Sequence, residues 1–474
     1  MKKLIALLLA LVMVLSLAAC GAKEPEATEA PKTEAPAETP ATPDTPAAPQ
    51  EEVDPLTGWI YEEDKSISGT VRFWIPFSGP QGMDAMIAEF NESYPNITVE
   101  LNTYSNNTDG NIALNTSIMA GECDVVASFG IENLMTRLEN GLYVDITDKV
   151  TKENIDLIAN WGTEAYNYEG KVYTLPSGGL SYYVAINMDA WNAAGLGELP
   201  TEWTWDEYIE ACRKMTVYNE DGTVKVYGGS NTHTQPNILD FLYQVNGCNR
   251  YYTADGNCAF DDELVKDMLT KYLAAEEEGV WYKLSTYRSD NYKSWYAFCD
   301  EVVSSTIAVN IPRHIVADED YDFITGFAPY PVVEKGQTNY QSGVNYYSFA
   351  GITQGCQDEE AAWAFLKWYS TYGSKYLVVA GHQSTWIDTD PADAVSLIFG
   401  SEEKAAEKID VASYKRVVGN TENPKAYDSM SWAYPKLTDI WTEYVTYIFT
   451  GEMTLEDGLA EAAKLGNEAI ADAK

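Results

Sequence analysis

The stretch from Thr70 to Ser128 restricts this chain to a small set of folds. Thr70-Val71-Arg72-Phe73-Trp74-Ile75 reads as a buried strand. After a loop at Gly79-Pro80-Gln81-Gly82, the residues Met83, Met86, Ile87 and Phe90 recur at helical spacing, and Pro95 stops that helix. Asn96-Ile97-Thr98-Val99-Glu100-Leu101 alternates as a second strand. A helix around Asn111–Ala120 leads to a third strand, Asp124-Val125-Val126-Ala127-Ser128. Strands that alternate with helices open a parallel sheet, because parallel neighbours need a long crossover and a helix supplies it. The predicted class is therefore α/β. Ligands of such sheets bind beyond the strand C-termini, where helix N-termini present unpaired N–H groups.

Further along, Thr204 reads as the N-cap of a helix opening at Trp205-Asp206-Glu207-Tyr208. Helices are predicted at Leu264–Glu278, Glu359–Ser370 and Leu437–Phe449, and Thr454-Leu455-Glu456-Asp457 has the pattern of a capping box before the last one. A chain of 474 residues has room for two or three domains.

The N-terminus predicts an address. Met1-Lys2-Lys3 is basic, and the apolar run Leu4–Leu17 is about 14 residues, short for a lasting membrane span but suited to a secretory signal. Leu17-Ala18-Ala19-Cys20 resembles the lipobox of bacterial lipoproteins, which implies a signal peptide over 1–19, cleavage before Cys20 and its lipidation, with several acyl chains for stable anchoring. Residues 20–57 then form a disordered linker rich in Pro, Ala and Glu, able to hold a folded body on the order of 100 Å from the membrane. The predicted location is the outer side of the cell membrane.

A net charge of −41 repels nucleic acid and anionic lipid. None of the seven cysteines forms a CxxC, and the Cys248–Cys258 spacing permits a local disulfide around an Asp-Gly turn. There is no HExxH, P-loop, nucleophile elbow or GxGxxG. The acidic runs at Asp318–Asp322 and Asp388–Asp390 lack EF-hand spacing. No metal and no cofactor are predicted.

Several segments occur in the order found in one family. They are Phe73-Trp74 through Tyr94-Pro95-Asn96-Ile97-Thr98-Val99; Met119-Ala120-Gly121-Glu122-Cys123-Asp124-Val125-Val126, with Cys123 where the family has proline; and Gly170-Lys171-Val172-Tyr173-Thr174-Leu175-Pro176. Next come Pro200-Thr201-Glu202-Trp203-Thr204-Trp205, Ala361–Trp368 and Phe449-Thr450-Gly451-Glu452-Met453-Thr454. Together they resemble the extracellular solute-binding proteins of ABC importers, of the maltose-binding-protein type. The resemblance implies a two-lobed periplasmic-binding-protein-like fold with a hinge and an interlobe ligand cleft. It puts lobe one at 66–176 plus 325–383 and lobe two at 180–320 plus 384–474. It also implies a monomer without enzymatic activity, partnered by two permease subunits and an ATPase, with a carbohydrate, an oligosaccharide, as cargo. Alternatives are a non-sugar solute such as a polyamine on the same scaffold, or a secreted carbohydrate-active enzyme, which would need two carboxylates across the scissile bond.

A sugar cleft needs aromatic plates for C–H faces and planar polar groups for hydroxyls. The candidates that follow strand ends are Ser78, Gly79 and Gln81, then Ser128, Phe129 and Glu132, with Trp74 divided between core and site. By the resemblance, the loop Asn231–Asn237 offers His233 and Gln235, and the end of the run Thr306–Val309 offers Asn310 and Arg313. Tyr182 and Tyr183 lie at the first crossover, Trp386 and Asp388 follow Gly381-His382-Gln383, and Trp432 and Trp441 lie before and on the penultimate helix.

Overall fold

β1 (Gly69–Ile75) buries Val71, Phe73 and Ile75 completely, a period-two stripe that fixes which face meets the core. The structure is a computed structural model that describes residues 63–77, 82–162, 168–232, 234–246, 249–318, 320–343, 345–389, 393–418, 428 and 430–474. All of these belong to one unit, Glu52–Lys474. The expected signal peptide, Cys20 and the linker lie outside the described residues.

β1 pairs in parallel with β2 (Ile97–Thr103) and with β3 (Val125–Phe129). The intervening helices are α1 (Met83–Ser93) and α2 (Thr108–Met119). The crossover units predicted from the sequence are thus present. Their helices form for local reasons: Met83, Met86 and Phe90 bury one stripe of α1, and the Asn107 side chain caps α2 by accepting from Gly110 N. The remaining strands are β4 (Leu175–Leu180), β5 (Tyr183–Asn187), β6 (Val217–Tyr218), β7 (Val224–Val226), β8 (Ser305–Ala308), β9 (Thr325–Pro329), β10 (Asn345–Ile352) and β11 (Gln383–Ser384). A six-stranded sheet runs β11-β4-β10-β3-β1-β2, with β10 antiparallel to both β3 and β4. A second sheet, β8-β5-β9, is antiparallel throughout.

The chain passes between the sheets at Ser181-Tyr182 and again between β9 and β10, and after β11 it returns to the smaller sheet, where Ile409 bridges Thr325. Residues 325–329, expected in lobe one, form β9 of the smaller sheet, and β4 extends the larger sheet to Leu180.

Further helices are α3 (Ile131–Glu139), α4 (Trp205–Met215), α5 (Glu263–Glu277), α6 (Ile311–Ala317), α7 (Glu359–Ser370), α8 (Tyr434–Thr450) and α9 (Leu455–Ala473). Thr204 and Glu207 form a reciprocal capping box on α4, and Thr454 caps α9 by accepting from Asp457 N at 3.1 Å. α7 lies on the larger sheet, where Phe73 meets Phe365 and Tyr369 with ring centroids 4.8 and 4.9 Å apart. α8 packs on α3, so one helix of the C-terminal segment closes against the opening crossover domain. Cys258 is buried with a free thiol, and Cys248, the other half of the disulfide that the spacing permits, lies outside the described residues.

Glu276 on α5 is 8% exposed, and its Oε1 accepts from Leu284 N at 2.9 Å. Burial pushes its carboxyl up to about 7, against the pull of the Leu284 N–H and the Lys283 charge. A raised acid holds a proton in the folded state that the unfolded chain has released. Its contribution is therefore full below pH ~4.3 and is lost as the pH rises through about 7. Glu276→Gln, which keeps the acceptor, is expected to be nearly neutral at pH 4.5 and stabilising at pH 8 by up to about 3 kcal/mol. Urea unfolding at the two pH values checks this; an equal effect at both would refute it. His314 and His382, lowered by burial to about 4 and about 3, act with the opposite sign, so only the variant's difference from the parent isolates Glu276.

Candidate functional site

The C-terminal ends of the parallel strands open on a cavity of about 410 Å³ bounded by residues of both sheets. This volume is in the range of small-molecule sites. Asn106 comes from the loop after β2, and Ile131 and Glu132 from the first turn of α3. The end of β8 contributes Ile307, Ala308, Val309 and Asn310. The crossovers contribute Leu180 and Tyr182 on one side and Gln341, Asn345, Tyr346 and Tyr347 on the other. Thr232, Thr234, Pro236, Asn237 and Tyr243 come from the 3₁₀ helix Gln235–Gln244 and its approach; Arg250, Tyr251, Ser294, Trp295, His382, Tyr434 and Thr438 complete the wall.

Aromatic rings make up much of this surface, and hydrogen bonds hold several of them in place. The Tyr182 hydroxyl accepts from Asn237 Nδ2 at 2.8 Å, while its backbone N donates to the Gln341 carbonyl at 2.8 Å. Tyr182 therefore couples the wall to both crossovers. His382 lies among rings, 4.7 Å from Phe129 and 5.4 Å from Tyr347 between centroids. Burial, with the Arg313 charge, lowers it to about 3, so it stands as a neutral imidazole. Gly381, at φ +87°, lets the chain reach this position: a Cβ there would lie 2.4 Å from Asn310 Cβ.

Charge is concentrated at two places. Arg250 lies 3.0 Å from Asp240 through Nε, and its backbone N donates to Asp428 Oδ1 at 2.9 Å. Asp428 Oδ2 accepts from the hydroxyls of Tyr243 and Tyr434 at 2.6 and 3.0 Å. The guanidinium carbon sits 5.4 Å from the Tyr243 ring centroid and 5.8 Å from that of Tyr251. Burial pushes the Asp240 carboxyl up to about 7, with Arg250 pulling the other way. Glu132 lies across the cavity wall, and burial raises its carboxyl as well. It is folded back over Gly130, whose φ of +91° and missing Cβ leave space for the carboxylate. Among the described residues, no lysine or arginine forms an ion pair with Glu132.

The wall's buried polar atoms without a hydrogen-bond partner among the described residues include Asn310 Oδ1, Asn345 Oδ1 and His382 Nδ1. Asn310 is the N-cap residue of α6, yet its side chain makes no capping bond. Buried polar atoms are ordinarily paired, so groups left open on a cavity wall point to a partner supplied from outside.

Of the residues picked from sequence, Glu132, Tyr182 and Asn310 line this cavity. Ser78, Gly79, Gln81 and His233 lie outside the described residues. The others are placed elsewhere. Ser128 is fully buried and bonded to the Tyr143 hydroxyl and Arg137. Phe129 packs behind the wall in the ring cluster with His382. Tyr183 is core, its hydroxyl accepting from Ile311 N. Gln235 and Trp441 face each other inside: the Trp441 indole donates to the Gln235 carbonyl at 2.9 Å, and Gln235 Nε2 donates to Thr446. Arg313 and Asp388 are exposed and do not line the cavity, and Trp386 packs on Tyr372. Trp432 is a surface ring under Lys474. Trp74 is half-buried against the core. Sequence reasoning missed Arg250, Trp295, Gln341, Asn345 and Tyr347. The available signal was amides at strand ends and crossovers, as in Gln341 and in Asn345 opening β10.

Among the described residues no group of three His, Cys, Asp or Glu could hold a metal ion, and no helix is long and apolar enough to cross a membrane.

No curated protein sequence matches the chain. Solved structures do. The substrate-binding protein Lmo0181 from Listeria monocytogenes, in complex with cycloalternan, superposes with a TM-score of 0.67 at 17% identity over 85% of this chain and 100% of its own. A sugar transporter from Rhizobium etli in an open conformation gives 0.65 at 17% identity over 86% and 100%. Maltose-bound MalE3 of T. maritima gives 0.61 at 17% identity over 83% and 98%. At such identities the likeness shows the fold, a two-lobed binding-protein architecture. The family model described as bacterial extracellular solute-binding protein matches residues 77–376, most of the chain, and the chain therefore belongs to that family.

Proposed function

We propose that this protein captures a carbohydrate, an oligosaccharide, in the cavity between its sheets and delivers it to the transmembrane subunits of an ABC importer. It works as a monomer outside the cell, anchored through a lipidated Cys20 and carried on the linker that follows. One lobe is built on the six-stranded sheet and the other on the three-stranded sheet, and the crossovers around Tyr182 and Gln341 act as the hinge. The protein binds its solute without transforming it.

The observation that carries this reading is the set of buried acceptors on the wall, Asn310 Oδ1 and Asn345 Oδ1, among aromatic rings. Hydroxyl groups are the donors that satisfy such acceptors, and pyranose C–H faces suit the rings. Cycloalternan and maltose in the similar structures agree with it. A second reading, a cationic solute such as a polyamine, draws on Glu132, a cavity carboxylate with no ion pair among the described residues.

Trp295 on the wall is a built-in reporter. Titrating the full chain in detergent with mono- and oligosaccharides is expected to give a saturable fluorescence shift and a raised melting temperature, with no product formed. A response to spermidine and none to any sugar would overturn the carbohydrate reading. Asn310→Ala is expected to weaken sugar binding about tenfold or more while leaving the empty protein as stable or slightly more so, because an unmet acceptor is removed. Loss of stability without loss of affinity would show that Asn310 serves the fold alone.

A further inference from the structure

Trp295 does not end the aromatic surface of the cavity. Tyr296 is next in sequence, 48% exposed, with its ring centroid 5.9 Å from that of Trp295. Tyr292 follows 6.4 Å from Tyr296 with the rings 21° from parallel. Beyond Tyr292 the buried Tyr287 backs Tyr282, with centroids 4.7 Å apart, and Tyr282 meets Tyr227 at 5.2 Å. Tyr292, Tyr282 and Tyr227 are half-buried.

We propose that this run of rings is an external track that takes the sugar residues of an oligosaccharide protruding from the cavity, so that the protein selects chains longer than the cavity holds. The proposal rests on the carbohydrate reading above and adds chain length to it. Single exposed apolar side chains are ordinary on a protein surface, but a contiguous run of rings leading out of a ligand cavity is not. The rings are held in place. The Tyr292 hydroxyl donates to the Asp300 carboxylate, His314 stacks on Trp295 with centroids 5.1 Å apart and planes 7° from parallel, and Tyr282 is braced edge-on by its neighbours. Fixed rings lose little freedom when a pyranose face lies on them, and their hydroxyl edges offer partners to the sugar's own. Continuity through Trp295, which belongs to both the cavity wall and the track, is what assigns the surface to the same solute.

The test is the dependence of affinity on chain length, measured by calorimetry on the full chain in detergent with malto- and chito-oligosaccharides of increasing length. In the parent protein, affinity is expected to keep rising with length for the series it accepts. Tyr296→Ala and Tyr292→Ala are expected to weaken the longer chains about three- to tenfold each and leave the shortest bound chain unchanged. Tyr292→Phe, which keeps the ring, is expected to retain the length dependence. A parent protein that binds short and long chains equally, or variants that weaken both alike, would overturn the track while leaving carbohydrate binding standing. Failure of every sugar to bind, with spermidine bound instead, would overturn the carbohydrate reading and the track together. Melting temperatures close to the parent's separate loss of contact from loss of fold.

Discussion

Replacing Arg250 by alanine is expected to cost about 3–5 kcal/mol of stability, the range for breaking a buried ion pair by removing one partner. The side chain is 16% exposed and Asp240 1%. Neither carboxylate oxygen of Asp240 has a hydrogen-bond partner among the described residues, so the pair is held by charge at 3.0 Å rather than by an aligned bond. Without Arg250 that carboxylate is left buried and uncompensated. The effect has a pH signature. Burial raises Asp240 to about 7, so stability linked to its proton is full below pH ~3.9 and declines as the pH rises through about 7. Arg250→Ala should therefore cost most at pH 8 and less at pH 5, where Asp240 can take up a proton. Asp240→Asn in the same background should recover a large part of the loss, and the double-mutant cycle measures the coupling. Denaturant unfolding that shows less than about 0.5 kcal/mol for Arg250→Ala would mean that water already compensates Asp240.

Much of the fold is legible in the sequence because local rules and the global pattern agree there. β1 alternates, Pro95 lies beyond α1, and Thr204 is followed at the right distance by Glu207. The candidate site is less legible. Strand ends do lead to the cavity: Glu132 and Asn310 both follow a strand and both line it. Aromatic residues do not discriminate, since a core this large consumes most of them. Trp441 and Tyr183 have the same composition and neighbourhood as wall residues, yet one lies against Phe260 and the other against Phe327 in the interior. Which side of a helix faces the cavity depends on packing between segments far apart in sequence, as when Tyr434 and Thr438 of α8 meet the wall while Trp441 turns inward. Arg250 was invisible for the same reason. Its partners, Asp240 and Asp428, lie on both sides of it in sequence, and Asp428 is distant.

Asp124→Ala is expected to be as damaging as Arg250→Ala, at about 3–5 kcal/mol, but to keep that cost down to a much lower pH. The Asp124 side chain is 2% exposed and sits at the entry to β3. Its Oδ2 accepts from Arg72 N at 2.8 Å and Arg72 Nε at 2.9 Å, and its Oδ1 from the Arg72 guanidinium at 2.6 Å and Gln357 N at 3.0 Å. One carboxylate therefore joins β1, β3 and the turn after β10. Burial by itself would raise its pKa, but these donors outweigh burial and hold it below the usual carboxylate range. A lowered acid contributes stability above the unfolded pKa and loses it as the pH falls through the folded value. The cost of Asp124→Ala should accordingly be full from pH ~5 upward and shrink below pH ~3.9. Arg250→Ala should lose its cost over a higher window, between pH 8 and 5. Unfolding both variants across pH 3–8 separates the two cases, because a carboxylate saturated with donors and one held only by an adjacent charge respond to protons in different ranges. A cost for Asp124→Ala that did not change between pH 6 and pH 3 would show that the strand junction is held by packing rather than by the ionised carboxylate.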